Sequence, residues 1–417
     1  MVTRSPVFYS PLVTLHPSPE LLHLTIVLDG VGIGAADDAD GYGDAGSDTL
    51  GHVLASERPA LPHLTRLGLG NAAALTGRTL TGVPPTDQPA ARFGQLTEVS
   101  AGKDSTTGHW ELAGLALDRP FPTYPDGLPD ALLQRFADRV GVPGVLGGEP
   151  ISGTTVIERY GAEHLATGKP IVYTSADSVF QIATHDRVTD LDTLYRWCRI
   201  AREEVCVGEH AVGRVIARPF TGEPGDFQRR SDKRKDYALP PHRPALQQQL
   251  QRAGVKTVAI GKISDLFAGV GFDETRKTTS NAEGVRETLG AIRSADGGPT
   301  FVWTNLVDFD QDYGHRNDPP GFARALEAFD QALPEIERAL ADYAERHGAA
   351  RLVITADHGN DPTHPGTDHT RERVPLLVCD WPATPCESLG VRTSFADHAA
   401  DCAAFFGAPY DGAGTPY

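Results

Sequence analysis

The chain has 417 residues, 40% hydrophobic and 22% charged, with Asp+Glu 55 against Lys+Arg 38 and a net charge of -17. That length suggests two or three domains, each burying its own core. The acidic balance argues against non-specific binding of nucleic acid or anionic membrane, but leaves room for a phosphate where metals or a few arginines reverse the field.

The opening residues 1–23 read as an irregular extension, because Pro6, Pro11, Pro17 and Pro19 break any signal-peptide apolar region. No stretch reaches the length of a transmembrane helix. The cysteines Cys198, Cys206, Cys379, Cys386 and Cys402 are odd in number and lack zinc-type spacing. They read as reduced thiols of a cytoplasmic protein.

Leu24–Leu28 is the first apolar strand, and it runs into Asp29, with Gly30, Gly32 and Gly34 forming a turn where backbone can approach a ligand. Ala101–Glu111 then gathers Lys103, the hydroxyls of Ser105, Thr106 and Thr107, and His109. A hydroxyl there is either a metal-activated nucleophile or a helix cap, and a helix start also welcomes phosphate. Pro120, Pro122, Pro125 and Pro129 mark a linker. Strands follow at 170–174 and 213–217, with a helix between them that starts from an Asp190 cap.

A basic island of Arg214, Arg218, Arg229, Arg230, Lys233, Arg234 and Lys235 stands out in this acidic chain. It reads as an anion clamp, with a solvated charged face as the alternative, above all for Arg229 and Lys235. Pro240, Pro241 and Pro244 mark a second linker. A strand at 255–260 leads to Lys262, and one at 301–307 leads to Asp308, Asp310 and His315. The apolar stripe Phe322, Leu326, Phe329, Leu333, Ile336, Leu340 and Tyr343 predicts a core-facing helix, kinked or restarted near Pro334. The strand 352–356 delivers Asp357 and His358, with Asp368 and His369 eleven residues behind.

Three strands that each end on carboxylates, two with histidine close behind, are explained better by a shared metal site than by three separate helix caps. The alternation of strands and helices predicts an α/β fold with a mostly parallel sheet. Because candidate ligands lie near residue 30 and beyond 308, residues 24–118 and 241–417 form the expected core domain. The middle, 119–240, is the expected inserted α/β cap domain.

Six segments together resemble one family. They are Asp29–Gly34, Gly46–His52, Gly102–Glu111, Thr174–Phe180, Asn305–His315 and Asp357–Thr370. From about Thr25 to Phe406 the chain resembles the phosphopentomutases, metal-dependent members of the alkaline phosphatase superfamily. The resemblance implies an alkaline-phosphatase-like core and two divalent cations, manganese by preference. Asp310, His315 and His369 would hold one ion; Asp29, Asp357 and His358 would hold the other. The nucleophile position is Ser105, where family members usually carry threonine, with Thr106 as the alternative. Ser175, Asp177, Arg214 and Ile216 would contact the sugar phosphate, with Arg230, Arg234 and Lys262 as looser carry-overs.

The implied reaction interconverts the 1- and 5-phosphates of ribose or deoxyribose through a phosphorylated Ser105 and a 1,5-bisphosphate. A bisphosphorylated sugar activator primes it. The implied partners are small-molecule pentose phosphates, with no nucleic acid and no membrane, and oligomeric state left open. Lys233 and His364 replace the family's usual asparagine and tryptophan, which points to a possible shift in the preferred sugar phosphate. The competing readings are a phosphatase of the same superfamily, a cofactor-independent phosphoglycerate mutase, and a non-catalytic sugar-phosphate binder.

Overall fold

Strand-forming segments of this chain fall into two hydrogen-bonded sets. A computed structural model describes residues 21–175, 177–295 and 298–417. The expected irregular extension falls outside the described residues except for Leu21, Leu22 and His23, which already belong to the first strand. In chain order the strands are β1 (Leu21–Leu28), β2 (Arg92–Leu96), β3 (Leu146–Pro150), β4 (Ile171–Thr174), β5 (Val179–His185), β6 (Arg214–Glu223) and β7 (Asp226–Arg229). They continue as β8 (Lys235–Ala238), β9 (Lys256–Ile260), β10 (Glu274–Arg276), β11 (Thr300–Leu306), β12 (Ala349–Thr355), β13 (Val374–Trp381) and β14 (Ser388–Arg392).

One sheet has eight strands in the order β10-β9-β11-β1-β12-β13-β2-β14. From β10 to β12 every pairing is parallel. β13 runs antiparallel to both β12 and β2, so β2 again points the same way as β1. Central strands covered on both faces read as continuous apolar runs, and β1 is buried from Leu22 to Leu28 for that reason. A single apolar cluster made of residues from 22–115 and 245–406 packs around this sheet.

The second sheet is built wholly from 146–238, in the order β3-β4-β5-β6-β7 with β8 also on β6. Two further apolar clusters pack it, one including Phe136, Phe180 and Trp197, the other Tyr173, Phe220 and Phe227.

The expected helices form with two refinements. Asp190 caps Leu191–Ile200 by accepting from the Thr193 amide at 2.9 Å. Pro319–His347 is a single helix that runs through Pro334 without restarting. The buried stripe from Phe322 to Tyr343 holds both halves on one face, which outweighs the hydrogen bond the proline removes.

Candidate active site

The parallel run β9-β11-β1-β12 brings four carboxyl ends to one edge of the large sheet. Each end carries chemistry: Lys262 after β9, Asp310 and His315 after β11, Asp29 after β1, Asp357 and His358 after β12. β2 points the same way, and the segment after it leads into the Ser105–Leu112 helix. That helix is capped by Asp104, whose carboxylate accepts from the amides of Thr106 and Thr107 at 2.9 and 3.2 Å. Ser105 is therefore not the cap, and its hydroxyl is free for other work. Gly108 allows the helix to lie against the end of β12, since a Cβ there would overlap the Asp357 carbonyl oxygen.

Two groups of ligand atoms converge to within 4.8 Å: Asp310 with His315 and His369, and Asp29 with Asp310 and His358. The first is the trio expected from sequence. The second differs, because Asp310 takes the place expected for Asp357. Asp357 Oδ1 accepts from the Gly30 amide at 3.1 Å, and its Oδ2 lies 3.2 Å from His358 Nε2 and 3.0 Å from His109 Nδ1. Asp357 thus flanks the second group.

The donor chemistry fits divalent cations. His315 Nδ1 lies 2.6 Å from the Thr367 carbonyl and His358 Nδ1 lies 3.0 Å from the Gly359 carbonyl. A carbonyl can only accept, so each Nδ1 carries a proton, and Nε2 is the nitrogen that faces the carboxylates and would ligate a cation once its own proton is displaced. Asp29 Oδ1 is buried without a hydrogen bond, whereas Asp29 Oδ2 meets Lys262 and Asp357 Oδ2 meets His109 and His358. An oxygen such as Asp29 Oδ1 is costly to bury unless a cation meets it.

The cluster is electrostatically tight. Burial and then Asp357 raise the Asp29 carboxyl to about 6, against the pull of Lys262. Burial works to raise Asp310 too, but His369 and His315 overcome it and hold that carboxyl well below its usual range. Burial opposes the charge on His358, yet Asp357 outweighs it and lifts the ring to about 10. Lys262 is likewise desolvated, yet Asp29, Asp310 and Asp357 push its ammonium above its ordinary value.

Ser105 Oγ sits inside this field. It lies 3.0 Å from His358 Nε2 and accepts from Lys262 Nζ at 2.7 Å, while Lys262 also pairs with Asp29. Among the described residues Thr106 makes neither contact. Lys262, expected on the sugar phosphate, thus meets the candidate nucleophile directly.

The remaining candidates gather on the small sheet, and among the described residues no hydrogen bond or ion pair joins them to the metal edge. Ser175 lines a cavity of about 630 Å³ with Thr123, Pro125, Pro150, Ile151 and Ser152. Arg214 lies 3.7 Å from Asp177, whose side chain is 68% exposed, and 3.6 Å from Asp236. Arg234 pairs with Asp236 at 2.7 Å. Ile216 is only 2% exposed, so its side chain offers a ligand almost no surface.

The basic island divides differently from the sequence reading. Arg218, Arg229 and Arg234 surround Tyr173, near Gly153 at the start of the Gly153–Thr167 helix. Burial and then Arg234 lower the Arg218 guanidinium from its usual range. Arg230 instead pairs with Asp232 at 3.2 Å and faces Asp186 at 3.9 Å. Successive side chains of an extended chain point to opposite sides, so Arg229, for which a solvated face was the alternative, joins the cluster while Arg230 does not. Arg218 follows the same rule: two and four residues after Ile216 and Arg214, it shares their face of β6. Asn360 was also missed. Its amide donates to Asp310 Oδ1 at 2.7 Å, and its place directly after Asp357–Gly359 was the available signal.

Residues 22–410 match the family model of the metalloenzyme superfamily. The phosphopentomutase of Caldanaerobacter subterraneus subsp. tengcongensis is 49% identical over 92% of this chain and 93% of its own length. The phosphopentomutase of Desulfitobacterium hafniense is 50% identical over 92% of this chain and 95% of its own. Among solved structures, the PH0037 protein of Pyrococcus horikoshii aligns over 95% of this chain and 99% of its own, at 15% identity and a TM-score of 0.46. With two carboxylate-histidine groups at one sheet edge and relatives of this closeness over nearly its whole length, the chain belongs to the phosphopentomutase family of the metalloenzyme superfamily.

Proposed function

We propose that the chain interconverts the 1- and 5-phosphates of ribose and deoxyribose, with Ser105 as the phosphate carrier. The observation that carries this is Ser105 Oγ held between His358 Nε2 and the Lys262 ammonium, beside Asp29. Asp310, His315 and His369 would hold one ion. Asp29 and His358 would hold the other, with Asp310 shared and Asp357 closing it. Mixed carboxylate and imidazole donors suit manganese. Two such cations, when bound, neutralise the transferring phosphoryl group and ease ionisation of the hydroxyl.

The chain's own residues would do the rest. Lys262 holds Ser105 Oγ and the phosphoryl oxygens that replace its proton. In the first transfer the P–O bond to Ser105 breaks as one forms to the free hydroxyl of a pentose monophosphate, whose proton passes to Ser105 Oγ, giving a 1,5-bisphosphate. In the second, the bisphosphate's other P–O bond to the sugar breaks as one forms to Ser105 Oγ, and the serine proton passes to the sugar hydroxyl that is released. A bisphosphorylated sugar activator would prime the cycle.

The second phosphate would sit among Arg218, Arg229 and Arg234, where crowded like charges and a helix N-terminus favour a dianion. Ser175, Asp177 and Arg214 would meet the sugar. Residues 119–240 would act as a cap over the core, excluding water that otherwise hydrolyses the phosphoenzyme. Unpaired cysteines suit a cytoplasmic setting.

The test is intact-mass and peptide mapping of purified protein after bisphosphate priming with manganese, alongside conversion of ribose 5-phosphate. Phosphate on Ser105 and isomerisation lost in Ser105→Ala are the expected results. Phosphate release as fast as isomerisation would reassign the chain as a hydrolase.

A further inference from the structure

The irregular stretch from Thr97 to Asp104, between β2 and the Ser105–Leu112 helix, has five of its backbone polar groups held by two buried side chains. On one side stands Arg371, 2% exposed, two residues beyond His369. Its Nη1 lies 2.8 Å from Ser100 O, 2.6 Å from Gly102 O and 2.8 Å from Glu98 Oε2. Its Nη2 donates to Glu98 O at 2.8 Å. The carbonyls of residues 98, 100 and 102 thus all turn toward one guanidinium.

On the other side stands Glu111, fully buried in the helix that carries Ser105. Its carboxylate accepts from the Val99 amide at 3.1 Å and the Ser100 amide at 2.7 Å. It also accepts from Ser394 Oγ at 2.8 Å and the Phe395 amide at 2.9 Å. A loop must satisfy its buried backbone somehow, and here one carboxylate takes the amides of Val99 and Ser100 while one guanidinium takes the carbonyls of residues 98, 100 and 102. Because Arg371 belongs to the segment that carries His369, it ties the approach to Ser105 to the metal-ligand loop.

We propose that Arg371 and Glu111 are positioning residues for phosphoryl transfer. Together they fix where Ser105 Oγ stands relative to the cluster of Asp29, Asp310 and His358. The inference rests on the reading of Ser105 as phosphate carrier. Neither residue touches the reacting atoms; they act through the backbone between them. In-line transfer tolerates little displacement, and misplacement by about 1 Å costs about 10²-fold in rate. Substrate binding on the small sheet is untouched.

The experiment uses the full chain loaded with manganese and primed with a sugar bisphosphate. Arg371→Lys keeps the charge but cannot span from Glu98 to Gly102. Glu111→Gln keeps the shape but turns an amide N–H against the Ser100 or Phe395 N–H. For both, the expected result is a fall in kcat for ribose 5-phosphate isomerisation of about 10²-fold, with KM within about twofold and manganese content unchanged. Single-turnover phosphorylation of Ser105 slows by the same factor. Full kcat in both variants, with only a lowered melting temperature, overturns the proposal. So does a loss of manganese that accounts for the loss of rate. No phosphate on Ser105 in the unaltered chain overturns the carrier reading and the proposal with it. Phosphate on Ser105 with fully active variants overturns the positioning role alone.

Discussion

The metal edge of the large sheet and the arginine face of the small sheet present charge in opposite ways. At the metal edge, short side chains are planted on adjacent parallel strand ends, and Asp29, Asp357 and His358 are all buried. Their geometry is set by backbone pairing, and their field is negative. On the arginine face, long side chains reach in from β6, β7 and the segment before β8, and their field is positive. The contrast teaches a division of labour. Rigid, desolvated groups suit the reacting phosphate, where small displacements matter. On the proposed reaction, long guanidinium groups would suit the phosphate that is held while the other reacts.

That division can be broken by measurement. Ser105→Ala has the largest expected effect, a fall in kcat of at least about 10³-fold with little change in KM, because the covalent route is removed. Equal loss from Thr106→Ala would move the carrier by one residue. Asp310→Asn comes next. Since Asp310 belongs to both converging groups, manganese content should fall from two ions toward none, and kcat by about 10³-fold, with two-metal chemistry lost. Retention of one tightly held ion would show that the groups are independent.

Arg218→Ala and Arg234→Ala test the other region. Each should raise KM about 10- to 150-fold, the weight of a charge-assisted hydrogen bond of about 1.5–3 kcal/mol, while kcat changes less. A fall in kcat at unchanged KM would erase the distinction between the regions. Arg230→Ala should change neither constant by more than about twofold, as suits an exposed pair.

The smallest effect is on stability. His398 is buried, bonded to Thr25 Oγ1 and the Leu112 carbonyl at 2.8 Å each, and burial lowers its ring to about 4. Between that value and the unfolded value of about 6.5, the unfolded chain holds the extra proton, so stability falls as pH falls through this window. The loss is on the order of 3 kcal/mol for the full shift. Urea midpoints of metal-free protein from pH 7 to 4 would read it. A slope that is unaltered in His398→Gln would assign the acid sensitivity to another group.

Much of the large sheet was legible because its central parallel strands are covered on both faces and read as unbroken apolar runs. The strands at 24–28, 301–307 and 352–356 all lie within one residue of β1, β11 and β12 or inside them. β2, β3, β5, β13, β14 and the short strands β7, β8 and β10 were not foreseen. Gly94 in β2 and the polar residues of β7 and β8 leave no apolar period to detect. The trio Asp310, His315 and His369 was legible from strand ends and family motif together. The sharing of Asp310 was not, because it depends on β11 lying beside β1 rather than on any local pattern.

The sequence by itself determined the ligand types, the hydroxyl, the acidic balance with its basic island, and the strands that carry them. These follow from residue chemistry and local periodicity, which need no partner. Only the tertiary structure decided that Asp310 serves both groups, that Lys262 meets Ser105, that Arg229 rather than Arg230 faces Tyr173, and that Arg371 and Glu111 grip one loop. Each depends on strand order, on which side of an extended chain a residue falls, or on contacts across hundreds of residues. Such facts arise when backbone hydrogen bonds and buried charges must all be satisfied at once.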